Sequence, residues 1–143
     1  MTIKEIKLRE RNNEKIKKQR TKEKKEKLRL IKKEKRDKKK QKKQMLEDWK
    51  HLVHERDNYK DAISGEDLRN TPRNCQAHHI LDKKNFPTLK HDVMNGITLS
   101  YWNHKSSPKS PHLNALWFTN WLKENRPGQY YYLMNNLKEI NKK

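Results

Sequence analysis

The stretch from Cys75 to Asn114 holds the residues that could do chemistry: His78-His79-Ile80, then Asn95-Gly96-Ile97-Thr98-Leu99, then His104, and finally Ser110-Pro111-His112-Leu113-Asn114. Histidine suits two tasks near neutral pH. With an ordinary pKa of about 6.5 it is mostly neutral yet basic, so it can accept a proton from water, and its free nitrogen can coordinate a divalent cation. Phosphodiester hydrolysis needs both tasks, an activated water and a cation on the non-bridging and leaving oxygens. Successive side chains of a strand point to opposite faces. His78 and His79 are therefore expected to divide the labour rather than share it.

The elements that must position these residues can be read on either side. Cys75–Ile80 reads as a short strand. Gly96–Trp102 reads as a second one, in which Ile97, Leu99 and Tyr101 alternate with Thr98, Ser100 and Trp102. Residues 81–95 between them are too long for a tight hairpin and too poor in apolar residues for a helix, and an unstructured loop of that length is usually functional. Pro108 and Pro111 introduce a helix whose Leu113, Leu116, Trp117 and Trp121 are expected to face inward. Pro127-Gly128 ends that segment, and Tyr130, Leu133, Leu137 and Ile140 mark a last amphipathic helix. Upstream, Leu46, Trp49, Leu52 and Val53 mark one face of a first core helix beginning at Met45. His51 and His54 lie on it outside any motif and read as surface residues. Ser64-Gly65 and Thr71-Pro72 signal turns. Cys75, the sole cysteine, reads as a small buried residue of the first strand; it excludes an internal disulfide and points to a reducing compartment.

Paired histidines ending one strand, a long loop closed by Asn-Gly, a second strand and a histidine at its end resemble the HNH nucleases over roughly residues 46–125. The resemblance implies an α+β fold, with a ββα metal-binding core flanked by helices. It also implies a metal-dependent DNA endonuclease with no small-molecule cofactor. Carried onto this chain, His78 and His104 become metal ligands, His79 the general base, and Asn95 the residue that ties the loop by side-chain hydrogen bonds. Ser-Pro-His-x-Asn resembles a phage-encoded subgroup of the family. It offers His112 as either a third ligand or a phosphate contact. Mg²⁺ or Mn²⁺ is the expected ion, with Zn²⁺ or Ni²⁺ as alternatives. Many relatives also carry two Cys-x-x-Cys pairs around a structural zinc. The matching positions here are Asp61 and Ser64, then Ser100 and Asn103, so no structural zinc is expected. The helices bearing Trp117, Trp121 and Tyr130–Tyr132 are the expected substitute source of stability.

Composition sets the partner. Of 143 residues, 30% are hydrophobic and 38% charged, so one domain cannot fill the whole length. The net charge is +19. Residues 1–44 carry 22 Lys/Arg against 7 Asp/Glu and contain neither Pro nor Gly. This tract divides from a domain at 45–143. Its residue types favour helix, and Glu5/Arg9, Glu14/Lys18, Glu23/Lys27 and Glu34/Lys38 are i,i+4 pairs in the better orientation. A solvated helix and a disordered tail both fit, whereas its few apolar residues sustain no heptad seam. A polyanion is the natural partner. Lys32, Lys33, Lys35, Arg36, Lys38, Lys39, Lys40, Lys42 and Lys43 are the expected phosphate contacts, and the protein is expected to be a monomer or weak dimer. No segment approaches the ~18 apolar residues of a membrane span, and the charged N-terminus has no signal-peptide core, so a cytoplasmic location is expected. Two other functions compete with the nuclease: a non-catalytic nucleic-acid binder that retains the fold, and a basic ribosome-associated protein. The second leaves the histidine spacing to coincidence.

Overall fold

The computed structural model describes residues 1–140, with side chains to residue 138. The side chain of Ile140, expected on the last apolar face, lies outside the described part of the chain. The fold is α+β, mostly helical, with one two-stranded antiparallel sheet. It divides into two compact units, Met1–Lys43 and Gln44–Lys143.

The first helix, α1, runs from Ile3 to Arg56. Thr2 and Glu5 form a capping box at its start: Thr2 N donates to the Glu5 carboxylate and Glu5 N to Thr2 Oγ1. With no Gly or Pro before Gly65, nothing interrupts propagation, and the change of composition at Met45 starts no new helix. Of the two readings of the tail, the structure takes the helical one. Every residue from Met1 to Met45 is exposed, so this stretch of the helix has no packing to rely on and draws on propensity and local pairs such as Glu14–Lys18, 2.8 Å apart. The helix ends where Asn58 and Tyr59 turn to positive φ and Tyr59 N donates to His54 O.

In the second unit, β1 (Cys75–His79) pairs with β2 (Gly96–Ser100) in a register that sets His78 opposite Ile97 and His79 opposite Gly96. All five residues of β2 are buried, because both faces of the strand are covered. On one face Ile97 and Leu99 pack with Phe118 and Leu122. On the other, Thr98 and Ser100 meet the polar segment that follows α1. Thr98 N donates to Asp57 at 2.8 Å, and Ser100 N donates to Asp61. The second strand was expected to run to Trp102, but it stops at Ser100. Tyr101 takes helical angles and leads into a one-turn π-helix, Trp102–Ser106, that leaves Tyr101 and Trp102 exposed.

Two helices follow, α2 (Ala115–Asn125) and α3 (Pro127–Ile140). Leu113 and Leu116 do not face inward as expected; they are 65% and 76% exposed. Asn114 caps α2 by accepting from Trp117 N, and this start sets the helical phase so that Phe118 and Leu122, four residues apart, take the core positions. On α1, Trp49 and Val53 are the buried pair, while Leu52 is exposed. His54 is not a surface residue either. It is partly buried, with Nδ1 3.0 Å from Thr98 Oγ1 and 3.5 Å from Cys75 Sγ, and burial pushes its pKa down. Cys75 is itself half-buried, and burial raises its thiol pKa, the reverse of what a nucleophile needs.

Two buried carboxylates hold this unit together. Asp57 accepts from Thr98 N, from Arg56, and from Arg126 Nη1 at 2.7 Å. Asp61 accepts from the backbone of Ile63, Ser64 and Ser100 and from Asn103 Nδ2. Asp61, Ser64, Ser100 and Asn103, the four positions matched above to zinc cysteines, thus meet in one hydrogen-bonded knot. Burial alone would raise the pKa of Asp61; the bonds from Ser64, Ser100 and Asn103 prevail and hold it below the usual carboxylate range.

Candidate metal and hydrolytic site

Three histidines converge. His78 Nδ1, at the end of β1, lies 3.1 Å from His104 Nε2 in the π-turn, and His112 Nε2 lies 3.0 Å from the same nitrogen. One coordinating nitrogen from each falls within 4.8 Å of the others. Ser110 builds half of this arrangement. Fully buried, its hydroxyl donates to His104 O at 2.6 Å and accepts from His112 N at 3.1 Å, so one side chain ties the two histidine-bearing segments together. The π-turn supplies the other half, since an extra residue per turn re-aims a side chain and such turns recur at functional sites.

The donor geometry fits a metal ion. Two imidazole nitrogens bound at about 2.0–2.1 Å to one ion stand roughly 2.8–3.4 Å apart at octahedral to tetrahedral angles. The protonation states fit as well. Burial first, then the facing His104 and His112, push His78 down to about 3; burial, then Lys105 and His112, push His104 down to about 4. His112 is lowered in the same way. All three rings are then neutral near pH 7 and keep free lone pairs, as ligation requires. His104 Nδ1 has no hydrogen-bond partner among the described residues, so packing and the contacts of Nε2 with His78 and His112 orient that ring, while Ser110 holds the backbone beneath it.

His79 points to the other face of β1 and shares no ligand position with His78. Its Nε2 lies 2.8 Å from Lys90 O. A carbonyl can only accept, so Nε2 carries the proton and Nδ1 is the basic nitrogen. Burial lowers the pKa of His79, and the bond to Lys90 O opposes that. The ring stacks on Trp49, with centroids 3.8 Å apart and planes 11° off parallel. Asn95, wholly buried, ties the loop: its Oδ1 accepts from Leu81 N, and its Nδ2 donates to Leu81 O and Leu89 O. The loop itself is not featureless, since two single 3-10 turns, Pro87–Leu89 and Val93–Asn95, break it into segments.

Although they stand on opposite faces, His78 and His79 both border one cavity of about 650 Å³. His104 and His112 line it too, as do Lys83 and Lys105 and the apolar faces of α2 and α3. Lys105 Nζ stands 3.5 Å from His112 Nε2, a placement that sequence spacing does not signal beyond adjacency to His104.

The nine bases expected to bind phosphates lie on α1 in the first unit, all of them exposed. At 100° per residue, Lys32, Lys33, Lys35, Arg36, Lys38, Lys39, Lys40, Lys42 and Lys43 occupy roughly 220° of the helix circumference, and Glu34, Asp37 and Gln41 fill the rest. The tract therefore has a broad basic side and a narrow acidic or neutral one. Among the described residues, no helix is long and apolar enough to cross a membrane. Compared with protein-family models, with curated proteins and with solved structures, the chain gives no match.

Proposed function

We propose that the chain is a metal-dependent phosphodiester hydrolase acting on nucleic acid, with DNA as the first substrate class to test. One observation carries the reading: a single cavity is bordered both by three neutral, convergent imidazoles and by a fourth with its tautomer set by a carbonyl. The order β1, β2, α2 and the loop-tying role of Asn95 are what the HNH resemblance implies, and they support it.

In this reading His78, His104 and His112 hold the cation, which would supply positive charge to the non-bridging and leaving oxygens of the phosphate. His79 takes the water proton at Nδ1, and Lys90 O stabilises the imidazolium through Nε2–H. Lys83 and Lys105, on the cavity wall, meet the phosphate. The basic side of α1 adds affinity without reading sequence, because phosphate contacts carry no base information directly. The all-nitrogen donor set bears on the choice of ion. Imidazole suits Zn²⁺ and Ni²⁺, whereas Mg²⁺ prefers carboxylate and water oxygens, so the Mg²⁺ expected from the resemblance is the weaker fit.

Purified protein incubated with supercoiled plasmid, after chelation and readdition of Mg²⁺, Mn²⁺, Ni²⁺ or Zn²⁺, tests the proposal. Nicked or linear product that needs an added ion and disappears in His79→Ala is the expected result. Intact plasmid in all four metals, with the protein still bound to it, would favour the non-catalytic binder.

A further inference from the structure

We infer that Trp49, on α1, is a positioning residue for His79; the inference rests on the hydrolase reading above. The indole and imidazole are stacked at 3.8 Å, and both are anchored to the same loop. Trp49 Nε1 donates to Asp92 O at 2.8 Å, and His79 Nε2 donates to Lys90 O at 2.8 Å, two residues away. Asn95 holds that loop to Leu81 and Leu89, so neither anchor moves independently of the other.

The space for the indole is made by Gly96. This residue faces His79 across the sheet, and a Cβ there would stand 2.7 Å from Trp49 Cζ2 and would also overlap a Val53 methyl. The Asn-Gly pair at the start of β2 thus serves both walls of His79. Asn95 fixes the loop that clamps one edge of its ring, and Gly96 admits the indole that covers its face.

Each constraint alone is insufficient. A lone hydrogen bond at Nε2 lets the ring pivot out of plane about that contact. A lone stack lets the ring turn over within its own plane and exchange nitrogen for carbon. Together they leave one orientation, with Nδ1 free of any partner among the described residues. Proton abstraction depends steeply on such placement; a misplacement of about 1 Å is worth on the order of a hundredfold in rate.

The test compares Trp49→Leu, which fills apolar space without a ring, with Trp49→Phe, which keeps a ring face but loses the Nε1 donor. Plasmid cleavage by the metal-loaded full chain should show kcat about a hundredfold lower in Trp49→Leu, with KM and metal affinity unchanged, and Trp49→Phe should recover most of it. A second readout does not depend on activity. In the zinc-loaded wild type, the carbon-bound ring protons of His79, assigned by their loss in His79→Ala, should be shifted upfield by the indole ring current; they should remain so in Trp49→Phe and move downfield in Trp49→Leu. A folded Trp49→Leu with wild-type kcat, or wild-type His79 resonances without the upfield shift, would overturn the inference. So would a Trp49→Phe as slow as Trp49→Leu. Wild-type cleavage is the control that separates the two claims. If it is absent with every ion, the hydrolase reading falls; if it is present while Trp49→Leu keeps its rate, only the positioning role falls.

Discussion

The first 43 residues and the hundred that follow are built on opposite principles. From Met1 to Lys43 every side chain is exposed, and each residue's conformation is decided by its neighbours in the chain. From Gln44 onward the fold depends on single buried polar groups with distant partners: Asp57 with Thr98 and Arg126, Asp61 with Ser100 and Asn103, and Ser110 with His104. In the first region charge is spread over many interchangeable residues, so function there should be additive and tolerant of change. In the second, each buried group has a few specific partners that no neighbouring residue can replace, so single substitutions should be severe.

The sharpest break of that contrast is at His79. His79→Ala should reduce cleavage by a hundred- to ten-thousand-fold, the range of general base catalysis, while calorimetric titration with Ni²⁺ or Mn²⁺ still shows a site. Binding lost in His79→Ala but kept in His104→Ala would reverse the assigned roles.

Next in size is Asp57. Burial pushes its pKa up, but the hydrogen bonds and charges of Arg56 and Arg126 prevail and hold it below the usual carboxylate range. Asp57→Asn leaves two arginines facing a neutral group and should cost about 3 kcal/mol, seen as a lower denaturant midpoint with an unchanged slope. The sign of the pH dependence follows from the same shift. A depressed folded pKa contributes stability that is fully present above the unfolded value of about 3.9 and is lost as pH falls through the folded value. The wild type should lose stability in that acid window, and Asp57→Asn should lose less there. Equal acid sensitivity in both proteins would remove Asp57 as a cause.

Removing residues 1–43 should be milder in its effect on chemistry but broad in its effect on binding. Each phosphate contact contributes a slope of about −0.9 to log affinity against log salt, so the truncated protein should show a flatter salt dependence between ~50 and ~200 mM and unchanged kcat at saturating DNA. An identical salt slope in both forms would reduce the tract to a solubility element. Smallest of all, Glu14→Gln breaks one exposed i,i+4 pair and should change helix content only within the few tenths of a kcal/mol such pairs contribute. A collapse of the helical signal in that variant would show that the tract is more cooperative than additive pairs allow.

Particular residues show how far the sequence could be read. The strand bearing His78 and His79, the loop from 81 to 95 and the second strand from Gly96 follow from alternation and turn chemistry, which are local. The phase of α2 did not, because Leu113 and Leu116 carry the same hydrophobic signal as Phe118 and Leu122; only the cap at Asn114 and the waiting surface of Ile97 and Leu99 separate them. His54 looked like a surface histidine because nothing in its neighbourhood along α1 announces Thr98, which lies 44 residues away. The end of the second strand was missed for a similar reason, since the π-turn that replaces it is held from outside the strand, by Asp61 on Asn103 Nδ2 and by Ser110 on His104 O.

What this chain determines by itself is everything that depends on near neighbours: an unbroken helix where there is no Gly or Pro, opposite faces for two adjacent histidines, and a basic charge concentrated in the first 44 residues. What only the tertiary structure decided is convergence. Three imidazoles separated by up to 34 residues meet within 4.8 Å, a fourth finds the carbonyl that sets its tautomer, and an indole from α1 takes the room left by a glycine of β2. The physical reason is that each such contact involves groups with many possible partners along the chain, and the choice among them is made by which buried polar atoms would otherwise be left unsatisfied.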